Sequence, residues 1–140
     1  MPKSGAVDIC YGFAARKQAR HLDRLYNRHL APTGLSNSQL SILFHLDLHG
    51  RLKVAELAEM LVMERTSLVR ALKPLQASGL VIAERPERGR SFDVTLSPSG
   101  TKKVAEAWPL WKNAQAAFER EVGRARARRL RNVMLEVNPG

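Results

Sequence analysis

Arg65, Thr66, Ser67, Val69, Arg70 and Lys73 stand close together in this chain, and Arg85, Arg88 and Arg90 follow a short apolar run further on. Arginine can grip guanine or a phosphate with parallel N–H bonds, Ser and Thr hydroxyls bond either kind of partner, and a Val methyl can meet that of thymine. The set is suited to double-stranded DNA. The same residues also fit the polar outside of an ordinary amphipathic helix, so the elements that carry them decide between the two readings.

Leu68, Leu72 and Leu75 recur at helical spacing. A helix over 65–78 therefore buries them and turns Arg65, Thr66, Ser67, Val69, Arg70 and Lys73 toward other faces. A preceding helix over 53–61, with Val54, Leu57, Ala58 and Leu61 inward, completes a helix-turn-helix. In that motif one helix enters the major groove while the other braces it. Glu64 stands at the N-cap position, where a longer side chain caps less well although its charge suits the helix dipole. Pro74 lies inside the pattern and predicts a bend. Residues 80–85, together with the alternation of Phe92, Val94 and Leu96 against Asp93, Thr95 and Ser97, predict a β-hairpin with one buried face. Its turn carries Arg85, Arg88 and Arg90, which suit a narrow minor groove or phosphates; a solvated Arg-rich turn is the alternative.

The flanking segments read as helices. Residues 8–30 form one long helix with Leu22, Leu25, Tyr26 and His29 on a stripe, about 35 Å long at a rise of about 1.5 Å per residue. Pro32, Thr33 and Gly34 punctuate the chain, Ser36 and Gln39 offer a capping box for a helix to Leu48, and Gly50 closes it. Ser97-Pro98 opens a second long helical region with a seam of Val104, Trp108, Trp111, Gln115, Phe118 and Val122, which Pro109 is expected to kink. After Gly123 a last helix carries Leu130, Val133, Met134 and Val137. These terminal helices hold more apolar surface than the central motif can cover, and a two-fold homodimer on a palindromic site is the expected solution.

Composition agrees. With 140 residues and 44% hydrophobic content the chain supports one domain rather than two. A net charge of +10 favours a polyanionic partner. The excess is not concentrated in the reader: residues 51–100 carry eight Lys and Arg against six acids, and residues 101–140 carry nine against four. The C-terminal helix thus adds to the field or is a solvated face. Cys10 is the one cysteine, which excludes an intramolecular disulfide and fits a reducing compartment. The first residues lack the apolar core of a signal peptide, and no apolar run approaches the roughly 20 residues of a membrane span, so a cytoplasmic protein without a membrane partner is expected. His45 and His49 stand at i, i+4 without a third ligand nearby, so no metal centre is expected. No phosphate loop, nucleophile constellation or carboxylate pair stands out, and the chain reads as a non-enzyme without a cofactor.

The sequence resembles the MarR family of bacterial transcription regulators. The matching elements are Leu57-Ala58 to Leu61, Arg65-Thr66-Ser67-Leu68-Val69-Arg70, Leu75 with Gly79-Leu80-Val81, and Val94-Thr95-Leu96-Ser97-Pro98-Ser99-Gly100. The resemblance spans nearly the whole chain. It implies a mainly α fold with a small β-wing in a single domain over 1–140, with a winged helix-turn-helix over 36–97 between dimerisation helices over 8–30 and 101–138. The family commonly carries Asp two residues before the wing arginine matching Arg90, and Arg88 stands there instead. The resemblance further implies a dimeric repressor released by a small aromatic or acyl-CoA effector, lodged in a crevice between the dimer helices and the winged domain. By position that crevice draws on Tyr11, Phe13, His21, Tyr26, Phe44, His45, Trp108 and Trp111, which at helical spacing are equally core residues. Cys10 in the first helix opens an alternative, an oxidant-sensing thiol. A winged-helix module that docks protein rather than DNA is the other alternative.

Overall fold

A computed structural model describes residues 5–85 and 92–137. Where one helix over 8–30 is expected, there are two, α1 (Ala6–Ile9) and α2 (Tyr11–Leu30). Cys10 between them is extended, with φ −83° and ψ 115°, and its Sγ accepts from the Phe13 N–H at 3.3 Å. The break has a local cause: a side-chain acceptor at Cys10 satisfies one of the orphan donors that every helix start leaves. Of the predicted stripe along α2, Leu25 and Tyr26 are buried and Leu22 and His29 half-buried, while Leu30, outside the stripe, is buried as well. A 3-10 turn (Ala31–Thr33) leads to α3 (Asn37–His49), where Ser36 and Gln39 form the expected capping box and Gly50 closes the helix.

The middle of the chain folds as β1 (Leu52–Lys53), α4 (Val54–Met60), α5 (Arg65–Ala77), β2 (Val81–Glu84) and β3 (Asp93–Leu96). The strands make an antiparallel sheet in the order β1-β3-β2, so the expected hairpin acquires a third strand. Two residues are too few to show alternation, which is why β1 is invisible in the sequence. Leu52 pairs with Val94 and Lys53 with Asp93, while Glu84 faces Asp93 from the other side. The hairpin is less cleanly two-faced than alternation predicts. Val94 is buried and Phe92 and Leu96 are half-buried, but Ser97, expected on the polar face, is buried as well. Its hydroxyl donates to the Gly79 carbonyl and accepts from the Gly100 N–H, so the polar group is satisfied inside.

Helices α4 and α5 end on the same hydrogen-bond motif. Met63 N–H donates to the Ala58 carbonyl and Val62 N–H to that of Glu59; Leu80 N–H donates to Leu75 and Gly79 N–H to Gln76 in the same way. This closure places one residue in the left-handed region. In α5 that residue is Gly79, with φ 72°, but in α4 it is Val62, with φ 53°. A β-branched side chain held there costs on the order of 1–2 kcal/mol.

Helices α6 (Pro98–Val122) and α7 (Arg124–Glu136) complete the chain. Both prolines lie inside continuous helices, α5 running on past Pro74 and α6 past Pro109. Ser97 caps α6 with Pro98 at its first position, as the sequence predicts. The seam of α6 follows the predicted one only in part, with Trp111, Gln115, Phe118 and Val122 half-buried. Val104, Ala107 and Ala114 are buried, whereas Trp108 is 48% exposed. Small residues on this face suit close packing against α2. The core is continuous, from Leu30, Leu40, Leu43 and Leu46 through Val54, Leu57, Leu68 and Leu75 to Val94. Among the described residues no helix is long and apolar enough to cross a membrane.

Candidate nucleic-acid interface

Leu68, Leu72 and Leu75 anchor α5 on the core, with Leu57 and Ala58 of α4 buried in the same cluster. Fixing that face decides the other. Arg65, Thr66, Ser67, Arg70 and Lys73 are all exposed, and Thr66, Arg70 and Lys73 share a face by their i, i+4, i+7 spacing. Among the described residues no carboxylate pairs with Arg70 or Lys73. Val69 differs from the other expected readers: it is half-buried and packs on the core. The helix therefore presents hydroxyls and cations in its first turns, the groups that bond base edges and phosphates.

Arg85 directly follows β2 and is exposed, with its guanidinium carbon 4.7 Å from the centre of the Phe92 ring. Arg88 and Arg90 lie outside the described residues. One basic residue at the wing has no counterpart among the expected readers. Arg51, just before β1, reaches Glu84 at 3.1 Å and Asp93 at 3.4 Å. A lone Arg beside an undetected strand carries no signal in the sequence.

The aromatic residues separate into distinct places. Phe44, Trp108 and Trp111 form one cluster, the two indoles stacked at 4.8 Å between centroids and Phe44 edge-on to both. A cavity of about 300 Å³ opens between α2, α6 and α7, and of the eight expected pocket residues only Tyr26 and Trp111 line it. Gln115, Phe118, Arg128 and Arg131 line it too. Gln115 and Phe118 stand in the predicted seam of α6, but the arginines are detectable only once α7 folds back. The Tyr26 hydroxyl donates to Gln115 Oε1. Burial raises the Tyr26 pKa above its ordinary value, and the charge of Glu119 adds to the shift. The other expected pocket residues lie apart from this cavity: Tyr11 is 93% exposed, His21 bonds Glu121 at 2.7 Å, Phe13 lies beside α1, and His45 Nδ1 meets the Ser41 carbonyl at 2.7 Å.

Helix α7 buries only Ala127 and leaves Leu130, Val133 and Met134 exposed. At the other end of the chain Val7, Ile9, Tyr11 and Phe13 are exposed too. The terminal helices thus carry unpartnered apolar surface, as their sequence predicts. Within the basic run of α7, Arg124 and Arg128 share the Glu119 carboxylate at 3.4 and 3.9 Å.

The sequence pattern of the MarR family matches residues 33–91, which span the helix-turn-helix and the strands β1 and β2. The M. tuberculosis transcriptional regulator MosR, solved in complex with DNA, is 32% identical, with 89% of this chain and 92% of that chain covered and a TM-score of 0.78. The transcriptional repressor CouR, solved on a 23-mer DNA duplex, is 23% identical over 96% of each chain with a TM-score of 0.82; it has also been solved with p-coumaroyl-CoA. An E. coli MarR variant complexed with operator DNA is 20% identical, covering 99% of this chain and all of that one, with a TM-score of 0.84. At these lower identities CouR and MarR show the shared fold. No curated protein matches the sequence. An outward-facing, cationic second helix, a three-stranded wing and an identity of 32% across nearly the full length of MosR lead to one conclusion: the chain belongs to the MarR family of winged-helix, DNA-binding transcription regulators.

Proposed function

We propose that this regulator is a ligand-responsive repressor that binds a palindromic operator as a homodimer. The observation that carries the reading is the division of α5, with three leucines locked in the core and Arg65, Thr66, Ser67, Arg70 and Lys73 presented outward. Two such helices, joined through the exposed apolar faces of α7 and of the N-terminal segment, would meet successive turns of one side of a duplex, roughly 34–36 Å apart. Val69 contributes at its exposed edge, and Arg85, Arg88 and Arg90 supply the wing's charge.

The cavity between α2, α6 and α7 is the proposed effector site, with Tyr26 and Trp111 as its aromatic walls. A small aromatic or acyl-CoA compound fits its mixture of rings and arginines, in keeping with the ligand carried by CouR. Binding there would shift the population between dimers that fit the operator and dimers that do not. Phe44 and Trp108 extend the same aromatic surface, and Tyr11, Phe13, His21 and His45 belong to the proposal only if a second subunit brings them near.

The test is a gel shift across a salt series, using duplexes selected by the protein from a random pool. Binding to a symmetric site that weakens steeply with salt is expected. Absence of any selected duplex, or an affinity independent of salt, would favour the protein-docking alternative. A second reading rests on Cys10, which is exposed and sits at the joint between α1 and α2. Oxidation there would disturb the cap on α2, and release of DNA by an organic hydroperoxide, abolished in Cys10→Ser, is the result that would support it.

A further inference from the structure

We propose that Arg51 is a positioning residue for DNA binding, a clamp that holds together and neutralises two carboxylates facing each other at the root of the wing. Glu84 of β2 and Asp93 of β3 are register partners, so their side chains leave the same face of the sheet directly opposite one another. Like charges in that arrangement destabilise a strand pair. On the other edge of β3, Lys53 is the register partner of Asp93, and Arg51 precedes Lys53 by two residues. Arg51 lies in the bend just before β1, and from there its side chain reaches across the face that carries both acids. Its Nη2 lies 3.1 Å from Glu84 Oε2 and its Nη1 3.4 Å from Asp93 Oδ2, so one guanidinium bridges β2 and β3 from the bend before β1.

Such a contact between exposed groups adds little to global stability. Its effect is local and electrostatic. Glu84 is largely exposed while the Asp93 side chain is only 17% exposed, so Asp93 has less water to screen it and depends more on Arg51. Lys53 stands opposite Asp93 but forms no ion pair with either acid, so without the Arg51 guanidinium two negative charges would repel each other across the hairpin and would also stand in an element that approaches a phosphate backbone. The next layer of the hairpin ties the same root to the reader. Arg85 lies over the Phe92 ring, and the Phe92 carbonyl accepts from the Val54 N–H at 2.9 Å, at the first residue of α4. Splaying the strands at Glu84 and Asp93 thus disturbs the start of the helix that braces α5.

The inference rests on the DNA-binding reading, and its test separates the two. Full-length wild type, Arg51→Ala and the triple variant Arg51→Ala/Glu84→Gln/Asp93→Asn are compared on a 30-base-pair duplex that the wild type selects from a random pool. Arg51→Ala is expected to raise Kd on the order of tenfold, and the triple variant to return within about threefold of wild type, because the uncompensated carboxylates are gone. In the absence of DNA, amide exchange at Ala83 and Val94 is expected to quicken in Arg51→Ala and to recover in the triple variant. Wild-type affinity in Arg51→Ala overturns the proposal. So does a triple variant as weak as the single one, since Arg51 would then be touching phosphate itself. Exchange that does not respond also overturns the clamp, whereas responsive exchange in a protein that selects no duplex leaves the clamp standing and removes the function assigned above.

Discussion

A β-carbon added to Gly100 would stand 2.1 Å from the carbonyl oxygen of Leu80. Leu80 cannot easily retreat, because that carbonyl accepts from the Ser97 N–H at 3.0 Å and its residue leads into β2. Gly100→Ala must therefore push the first turn of α6 off the wing. Overpacking of this kind costs about 1–3 kcal/mol or more, and the thermal midpoint followed by circular dichroism is expected to fall by several degrees. An unchanged midpoint would show that α6 is free to slide.

Val62 and Gly79 occupy equivalent places at the ends of α4 and α5, and they should respond oppositely to exchange. Val62→Gly removes the left-handed strain but adds backbone freedom to the unfolded chain, for a net gain of roughly 0.5–1 kcal/mol. Gly79→Val is expected to lose about 1–2 kcal/mol by the same strain. Urea midpoints that move in opposite directions, at an unchanged denaturant slope, are the expected result.

On α5, Arg70→Ala should weaken binding to the selected duplex by about 1–3 kcal/mol and relax its base preference, if its guanidinium grips a base. Lys73→Ala should weaken all sequences alike and lower the salt slope by about one. Both side chains are exposed, so the melting midpoint should stay near wild type. Leu68→Ala is the contrasting case: its side chain is fully buried, and a loss of about 2–5 kcal/mol of folding stability is expected.

Charge placed on the apolar face of α7 should separate subunits without unfolding them. Leu130 and Val133 are exposed in the single chain, so Leu130→Glu/Val133→Glu leaves the fold intact and gives a monomer by sedimentation equilibrium. The wild type is expected to sediment as a dimer, and a monomeric wild type would contradict the proposed assembly.

Tyr26 supplies a pH dependence whose direction follows from its surroundings. Burial, then the Glu119 charge, raises its folded pKa above the ordinary 10.0. The native state holds the phenolic proton more tightly than the unfolded chain does. This contribution to stability is complete below pH 10 and is lost as pH rises from there through the folded pKa. In Tyr26→Phe the alkaline decline in the urea midpoint should be shallower. The near-neutral midpoint should be somewhat lower, because the hydrogen bond to Gln115 is gone.

Much of the local structure was legible because it depends on neighbours in the chain. The stripe Leu68, Leu72 and Leu75, the Ser36–Gln39 capping box, the Ser97-Pro98 helix start and the Gly50 stop all appear where residue type and spacing put them. The exposed faces of α5 and α7 follow from the same periodicity. The break at Cys10, the two-residue β1 and the left-handed Val62 were not legible. Each is a single-residue or very short event without a period, and Val is a poor indicator of a left-handed cap. The expected pocket fared least well as a group, since Tyr26 and Trp111 meet Arg128 and Arg131 in one cavity while Tyr11 and His21 lie elsewhere.

By itself, the order of residues determined which side of each helix faces inward and which groups are left outside. Hydrophobic spacing reports a side chain's direction about its own axis, and nothing more distant is needed for that. Tertiary structure alone decided that Arg51 reaches Glu84 and Asp93, that Ser97 finds Gly79, and that α7 closes a cavity over Tyr26. Those contacts join residues far apart in the chain, and their geometry depends on strand register and helix packing that no single segment encodes.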